Sequence, residues 1–434
     1  MLVPDDSRLK LPFFAIDLTS RVVSRLVPSG LRPSVEQLRR DARRFVERVS
    51  GTASPTFVHR GDGAPTEEAP PTGAAPTSSP PPAYVDPLAP RPLEVADVVR
   101  ETADAVTLRL VNPDGRPFEL VAGQFFTVCV DLAGEHLRRA YSISSVAGHQ
   151  DTVDITIKRV EGGRVSTYLT TEVKPGATLL VLGPSGHFTV KPEAGRARHL
   201  VLIGGGSGIT PLLSIARTLL PLEPETRIAL LYGNRRQEDI IFAAAIAELE
   251  ARYPDRFLVR HTLEKPPARW DGGTGFLDGK ELVRQLTTLP AWPQAEIEYY
   301  SCGPEPMMAS CKAALTETLH VASTHLHEER FVNPEARIDA AAATVPLPVR
   351  VSLRGQAHEF MVAPGQTVLE AGLKAGVQMP FSCAMGGCAE CMLKLTAGEL
   401  QMAEPNCLTP EERQAGYVLT CVGRPRTALG LQQG

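Results

Sequence analysis

The chain has 434 residues, a formal net charge of −4 and a hydrophobic content of 43%. This length is sufficient for three domains, each with its own core. The charge shows no basic excess of the kind that binds nucleic acid, and no run of about 18 apolar residues predicts a membrane span. Eight cysteines without a signal-peptide pattern favour a reducing compartment, so we predict a cytoplasmic protein.

Residues 1–51 predict a helical N-terminal element of two amphipathic helices. In the second helix, Ser34 and Gln37 form a capping box, and an apolar stripe continues to Val49. The opposite face carries Arg39, Arg40, Arg43, Arg44 and Arg48. Two interpretations stay open: the helices pack on each other or on the main body, or they form a basic element for a peripheral membrane contact or a partner protein.

Residues 52–92 are rich in Pro, Ala, Thr, Ser and Gly. Such a segment buries too little apolar surface to form a core, so we predict a flexible Pro-rich linker. From residue 93 the pattern changes to short alternating runs with turn signals between them, which predicts an antiparallel barrel over residues 93–195. The predicted strands cover residues 98–111, 118–130, 140–144 and 153–160.

Two motifs of this barrel suit a phosphate-bearing aromatic cofactor. Arg139 and Tyr141 lie on one face of a strand that continues to Ser142, which places a guanidinium beside a phenol. A glycine turn at residues 162–163 opens a predicted helix, whose free N–H groups can receive a diphosphate. The first residues of that helix are Arg164, Val165 and Ser166. Taken singly, the motifs are equally typical of a sheet arginine and a helix cap.

In this order, and followed by Gly183 to Phe188, these motifs resemble the FAD-binding domain of the ferredoxin-NADP reductase family over residues 93–190. The resemblance implies bound FAD. It also implies that Arg139, Tyr141, Ser142 and the helix start at residues 164–166 hold the cofactor.

Residues 196–332 predict a doubly wound parallel α/β domain for a nucleotide. An apolar strand at residues 199–203 leads into a glycine-rich turn and an apolar helix, which together form a phosphate cradle. The glycines do not fit G-x-G-x-x-G, but they resemble the GGGxGITP turn of the reductase family, which implies an NAD(P)H site. The expected contacts are Gly206, Ser207, Gly208 and Thr210.

Two later segments gain their interpretation from the same family. Cys302 and Gly303 follow a predicted strand and resemble its Cys-Gly-Pro turn, which implies that the Cys302 thiol lies beside the nicotinamide. Phe331 closes an Arg-Phe sequence after two glutamates, which resembles the ending of reductases that carry a C-terminal ferredoxin and implies a ring stacked on the flavin. Without the resemblance, Cys302 would be a buried thiol and Phe331 a core residue. The implied catalytic residues are Ser142, Cys302 and Phe331.

The end of the second strand of this domain favours NADPH over NADH. An acidic residue at this point accepts from the ribose of NAD, whereas arginine pairs with the 2′-phosphate of NADP. Here Asn234 is followed by Arg235 and Arg236, and the first acidic residue is Glu238. The alternative is that these arginines are solvated loop charges.

After a predicted linker at residues 333–346, residues 347–434 contain the spacing C-x4-C-x2-C and a distant fourth cysteine. This spacing is typical of a plant-type [2Fe-2S] site, whereas structural zinc usually pairs two short-spaced cysteine motifs. The predicted metal ligands are Cys383, Cys388, Cys391 and Cys421. The segment resembles a plant-type ferredoxin, which implies a β-grasp fold. One departure is Ala389, where many ferredoxins have glycine.

The order of domains resembles reductases of the phenylacetyl-CoA epoxidase, steroid hydroxylase and acyl desaturase kind. That resemblance implies electron transfer from NADPH or NADH through FAD and a [2Fe-2S] cluster to a partner oxygenase, hydroxylase or desaturase. A change from two electrons to one is the physical role of the flavin. Two alternatives are a redox-sensing regulatory protein without sustained turnover and an electron-transfer subunit of a flavin-linked dehydrogenase.

Overall fold

The computed structural model describes residues 86–290, 297–331 and 343–433. The two predicted N-terminal helices, nearly all of the Pro-rich linker and most of the second linker lie outside these ranges. The described residues all belong to one compact unit, Pro82–Gly434. Within this part of the chain, no helix is long and apolar enough to cross a bilayer.

The first domain is the predicted antiparallel barrel. Its largest sheet has six strands in the order β5-β4-β8-β1-β2-β7, and a bridge between Ile143 and Ile155 joins its two edges. One helix, α1, covers Arg164–Thr171. The strands are β1 Arg91–Arg100, β2 Ala105–Val111, β3 Phe118–Leu120, β4 Phe125–Leu132, β5 Glu135–Ser142, β6 Gly148–Gln150, β7 Thr152–Lys158 and β8 Thr178–Ser185.

Two predicted strands of the barrel are wrong, because each contains a turn. The run 98–111 is a hairpin of β1 and β2, in which Thr102 Oγ1 donates to Asp104 Oδ1 over 2.8 Å. The run 118–130 is divided into β3 and β4 at Gly123, whose φ is +92°. A Cβ there would lie 1.9 Å from the carbonyl oxygen of Phe188, so this turn requires glycine.

The second domain is a parallel sheet with the strand order β12-β11-β10-β9-β13-β14. Because the order reverses between β9 and β13, the carboxyl ends of these two strands flank the crevice where such sheets bind ligands. The strands are β9 His199–Gly205, β10 Arg227–Asn234, β11 Phe257–Leu263, β12 Gly273–Thr274, β13 Ile297–Cys302 and β14 Leu326–Glu329; the helices are α2 Ile209–Leu222, α3 Ala243–Arg252, α4 Gly279–Thr287 and α5 Glu305–Ala313.

The third domain is the predicted ferredoxin fold, a mixed five-stranded sheet in the order β16-β15-β21-β17-β19 with a second sheet of β18 and β20. Its main helix has a complete capping box of Thr367 and Glu370, which fixes where the helix begins. The strands are β15 Leu347–Leu353, β16 Gln356–Val362, β17 Met392–Ala397, β18 Leu400–Met402, β19 Tyr417–Leu419, β20 Gly423–Pro425 and β21 Leu429–Gln432; the helices are α6 Val368–Lys374 and α7 Pro410–Gln414.

Two cysteines outside the cluster motif differ in their surroundings. Cys311 is buried in the nucleotide domain, as expected of a core thiol. Cys129 is only half-buried, and it packs against an apolar cluster that joins Leu182 of β8 to the ferredoxin core instead of the barrel core. Cys129 is therefore not a residue of the barrel core, since its position on β4 faces out of the barrel.

Candidate functional site

A cavity of about 160 Å³ lies between the barrel and the nucleotide domain. It brings together the predicted flavin residues of β5 and of the start of α1. Ser207, Thr210 and Phe331 complete its wall from the nucleotide domain, and Thr156 and Lys158 add two polar residues of β7. The barrel residues at its wall include Arg139, Tyr141, Ser142, Arg164, Val165 and Ser166.

The chemistry of this wall fits FAD. No side chain caps α1 at Gly163, so the first N–H groups of this helix point to the cavity without a side-chain acceptor, as a diphosphate requires. Burial raises the pKa of the Tyr141 hydroxyl, which keeps it a hydrogen-bond donor. The Arg164 guanidinium already has protein acceptors, because it donates to Glu135 and to the carbonyl oxygen of Leu132, both over 2.9 Å.

Ser142 connects the two domains. Its Oγ donates to Oε2 of Glu329 over 2.9 Å. Glu329 ends β14, and β14 pairs with β13 so that Glu329 lies opposite Cys302. Desolvation of the carboxyl raises the pKa of Glu329 to about 7, although the hydrogen bond from Ser142 acts in the opposite direction. The structure thus places the Glu329 carboxyl in the candidate site. In the sequence, Glu329 is only one of the two glutamates before Arg330 and Phe331.

Cys302 differs from its expected position. The thiol is fully buried, and the residue lines neither the flavin cavity nor the neighbouring groove described below. Burial, together with the nearby Glu329 carboxyl, raises its pKa well above the ordinary value of a cysteine. The side chain is therefore a neutral, buried thiol on the strand next to that of Glu329.

The glycine-rich turn serves two purposes. Gly208 packs directly on the turn after β13, since a Cβ there would lie 2.0 Å from the carbonyl oxygen of Cys302. Gly303 packs from the other side, where a Cβ would lie 2.9 Å from the nitrogen of Gly205. Gly206 faces open space, and the only atom near its Cβ position is Lys158 Nζ at 3.8 Å. The phosphate cradle is therefore open at Gly206 and closed at Gly208.

A groove of about 690 Å³ runs from this turn to the ferredoxin domain. Gly206, Ser207 and Gly303 form one side, residues 405–410 form the other, and Phe331 stands between this groove and the flavin cavity. The ring of Phe331 is 44% exposed, so it is not the core residue that a lone phenylalanine would be. These surroundings fit the nicotinamide half of a nucleotide next to a flavin.

The predicted specificity residues lie apart from these cavities. Asn234 is buried at the end of β10. Arg235 is 3.8 Å from Asp104 of the barrel and 3.6 Å from Asp239, and Arg236 is 3.5 Å from Glu238. Both guanidinium groups are largely exposed and already have carboxylate neighbours.

The four predicted ligands of the cluster lie together. Cys383, Cys391 and Cys421 are buried and Cys388 is half-buried. Mutual contacts of the thiols hold the pKa of Cys383 well below its ordinary value, with Cys388 and Cys421 as its partners, and the same kind of contact links Cys391 to Cys421. Thr420 fixes the distant ligand, because its backbone N–H and its hydroxyl both donate to the Cys391 carbonyl oxygen, over 3.2 and 3.1 Å.

The loop at residues 383–391, here called the cluster loop, also fits an iron-sulfur cluster. The Gly387 N–H donates to Cys383 Sγ over 3.3 Å, as ligand sulfurs require. Gly386 has φ +82°, and Ala389 has φ +59°. Alanine thus occupies a left-handed position that glycine prefers, and it does so without losing the loop conformation. Cys407, which no motif of the sequence marks, is a fifth cysteine near this loop; its N–H donates to the Gly386 carbonyl oxygen over 2.9 Å.

Comparisons with known proteins agree with this arrangement. Three family profiles match: the oxidoreductase FAD-binding domain over residues 92–190, the oxidoreductase NAD-binding domain over residues 202–313, and the 2Fe-2S iron-sulfur cluster binding domain over residues 351–426. A component of the 1,2-phenylacetyl-CoA epoxidase of Escherichia coli (strain K12) is 34% identical over 343 residues, which are 77% of this chain and 95% of that protein.

Two further relatives have the same extent. The ferredoxin reductase component of 3-ketosteroid-9-alpha-monooxygenase from Mycobacterium tuberculosis (strain CDC 1551 / Oshkosh) is 33% identical over 77% of this chain and 93% of its own length. The solved structure of phthalate dioxygenase reductase, described as a modular structure for electron transfer from pyridine nucleotides to [2Fe-2S], has a TM-score of 0.50 and 26% identity over 79% of this chain and 98% of that one.

The three domains and their adjoining cavities define a flavin- and iron-sulfur-containing oxidoreductase that uses a pyridine nucleotide. Within that class, the chain belongs to the family of reductase components of oxygenase systems, which transfer electrons from NAD(P)H through FAD and a [2Fe-2S] cluster to a partner oxygenase. The fold, the cofactors and the general function predicted from the sequence are confirmed.

Proposed function

We propose that this chain oxidises NADPH at the junction of Ser142, Glu329 and Phe331. It then delivers single electrons to an oxygenase, which is a separate protein. The observation that carries this proposal is a shared border. Phe331 lines the flavin cavity, the nucleotide groove and a cleft of about 900 Å³ that also contains Cys383 and Cys388. The proposed sites of the nucleotide, the flavin and the cluster thus all border Phe331.

When bound, FAD supplies hydride acceptance and one-electron release, and the cluster supplies one-electron transfer. The residues of the chain do the rest. Arg139 and the start of α1 neutralise the diphosphate, and Tyr141 donates a hydrogen bond at the cavity wall. Glu329 holds a proton on its carboxyl group while its Oε2 atom accepts from Ser142 Oγ, because a carboxyl with a pKa of about 7 is partly protonated at neutral pH.

Phe331 covers the flavin cavity from the nucleotide side. An aromatic ring in this position keeps water from the reacting face and must move aside when the nicotinamide enters. We place Cys302 behind this face as a neutral packing thiol that sets the position of Glu329, since its residue pairs with Glu329 in the sheet and is fully buried.

The acceptor that we propose is an oxygenase, hydroxylase or acyl desaturase. The relatives serve an epoxidase that acts on a CoA ester and a monooxygenase that acts on a ketosteroid, so the shared feature is an oxygen-activating partner and not one substrate.

The proposal is tested by steady-state turnover. Purified holoprotein with excess NADPH and cytochrome c, a one-electron acceptor, should consume NADPH continuously at two cytochromes per nucleotide. A redox sensor without sustained turnover would reduce its own centres once and stop. Addition of the oxygenase that co-purifies from native cells should replace cytochrome c as acceptor and couple NADPH use to product.

The N-terminal segment supports a further part of the proposal. Its basic second helix, predicted over residues 34–49, would concentrate the reductase near a membrane-bound or multi-component partner through a flexible tether. This rests on the sequence alone, because the segment lies outside the described residues.

A further inference from the structure

Strand β4 is buried on both of its faces. Phe126, Val128 and Val130 point into the barrel core. The alternate residues point outward, where water would normally be, but they are covered by the ferredoxin domain. We call this outward face, formed by Phe125, Thr127 and Cys129, the docking seat.

The docking seat contacts the cluster loop directly. Phe125 packs with Cys383 and Met385 in one small apolar cluster. Thr127 is fully buried, and its Oγ1 donates to the Cys383 carbonyl oxygen over 3.2 Å. The first cluster ligand is therefore hydrogen-bonded, through its own backbone, to a barrel strand.

Two side chains at the rim strengthen this contact. Arg138 donates to the Ala384 carbonyl oxygen over 3.4 Å. His187 Nε2 lies 2.8 Å from Oε2 of Glu390, which stands between the second and third cluster ligands in the chain. The His187 side chain is 72% exposed, so this pair contributes little beyond orientation. Thr127 is the buried polar contact of the set.

The position of the docking seat matters for the route of electrons. β4 pairs with β5 so that Phe125 lies opposite Ser142, and neighbouring strands are about 4.8 Å apart. One strand spacing therefore separates the flavin-cavity residue Ser142 from the residue that packs on Cys383. A shift of the loop along β4 would lengthen this path directly.

We propose that the docking seat fixes the cluster loop beside the flavin cavity, and that Thr127 is the positioning residue for electron transfer from flavin to cluster. This inference rests on the proposed function for its purpose, but the docking itself does not. Thr127 acts through the Cys383 backbone. Without its hydroxyl, the buried Cys383 carbonyl loses its donor and the docked state loses population.

Cys129 gives a native reporter of docking. Its thiol is half-buried against the apolar cluster that Leu182 forms with the ferredoxin core, and burial raises its pKa, so a maleimide should react slowly. In the holoprotein, Thr127→Val removes the hydroxyl at nearly constant shape, whereas Thr127→Ser retains it. Loss of one hydrogen bond to a buried acceptor should raise the labelling rate at Cys129 about tenfold. Peptide mapping separates Cys129 from Cys407.

The expected results differ among three variants. Thr127→Val labels faster at Cys129 and reduces cytochrome c more slowly, while its iron content and its ferricyanide reduction by NADPH stay at the wild-type level. Thr127→Ser behaves as the wild type. Thr178→Val, the same change at an exposed position of β8, changes nothing. Labelling needs no electron flow. It therefore tests the docking of the cluster loop separately from the proposed redox function.

Three outcomes would overturn the proposal: wild-type labelling in Thr127→Val, equal effects of Val and Ser, or loss of iron in Thr127→Val, which would make Thr127 a residue for cluster assembly. If Thr127→Val does not fold, Thr127→Ala decides, because it also removes the hydroxyl but inserts no additional methyl group. Its labelling rate at Cys129 should rise about tenfold, and a wild-type rate would reject the proposal.

Discussion

Ser142 Oγ and Glu329 Oε2 are joined by a hydrogen bond of 2.9 Å between residues 187 positions apart. The serine comes from a barrel strand and the glutamate from the last strand of the nucleotide domain. Because desolvation at this domain junction disfavours the charged carboxylate, the pKa of Glu329 is raised to about 7. The charge of the Glu329 carboxyl therefore changes near neutral pH.

This gives a prediction for stability against pH. A carboxyl whose pKa is raised on folding stabilises the native state fully below its unfolded pKa of about 4.5, and the contribution is lost as pH rises through about 7. The wild type should therefore lose about 2 kcal/mol of unfolding free energy between roughly pH 5.5 and 8 relative to Glu329→Gln, which still accepts from Ser142. Denaturant unfolding at the two pH values measures it, and equal pH slopes would contradict the assignment.

The cluster ligands give a second prediction. Cys391→Ser should remove the cluster and leave the flavin bound, because the FAD cavity has no ferredoxin residue in its wall. Ferricyanide reduction by NADPH persists and cytochrome c reduction falls to background. Cys407→Ser is the matched control, a nearby cysteine outside the ligand set, and should retain both activities. Loss of flavin together with iron in a folded Cys391→Ser protein is the result that would reject this division.

In the glycine-rich turn, Gly208 is needed for packing and Gly206 for nucleotide binding, which gives a third prediction. Gly208→Ala forces a Cβ against backbone atoms of Cys302 and Gly303 at 2.0 to 2.8 Å, so we expect a loss of about 1–3 kcal/mol in stability. Gly206→Ala meets open space and costs about 1 kcal/mol for its positive φ, but it narrows the phosphate cradle and should raise the KM for NADPH. Thermal unfolding and steady-state kinetics of the two variants distinguish these effects; equal stability losses would argue against them.

Nucleotide preference is the fourth prediction. A charge-assisted contact from Arg235 or Arg236 to the 2′-phosphate contributes about 1.5–3 kcal/mol, so its loss should reduce kcat/KM for NADPH about 10- to 150-fold and leave NADH unchanged. Arg235 lies 3.8 Å from Asp104 and 3.6 Å from Asp239, so a phosphate would compete with these carboxylates for the guanidinium. Arg252→Ala, an exposed arginine on α3 with a glutamate neighbour, is the control. A wild type that prefers NADH would reverse the assignment.

Removal of the N-terminal segment is the fifth. Deleting residues 1–85 keeps Leu88, which packs against the ferredoxin core, and should leave cytochrome c reduction unchanged while it slows transfer to the native oxygenase. Initial rates with both acceptors measure the difference. If the truncated chain loses flavin, the segment is part of the folded body.

Local patterns in the sequence indicated most of the residues that line the candidate site. The cysteine spacing, the GGGxGITP turn and the helix start at Arg164 are each set by neighbours in the chain, so their chemistry could be inferred from single stretches. The contacts of Glu329 with Ser142 and of Thr127 with Cys383 could not be inferred, since each joins residues from different domains. A signal for the second contact existed: β4 is apolar at nearly every position from Phe125 to Val130, a pattern typical of strands buried on both faces.

The two buried faces of β4 also have a consequence for synthesis on the ribosome. The barrel is complete near residue 190, whereas the domain that covers Phe125 and Leu182 ends at the last residues of the chain. At about 5–20 residues per second, translation leaves the barrel with a bare apolar strip for about ten seconds or more. During that interval the uncovered apolar strip favours association with other chains, until the ferredoxin domain folds over it.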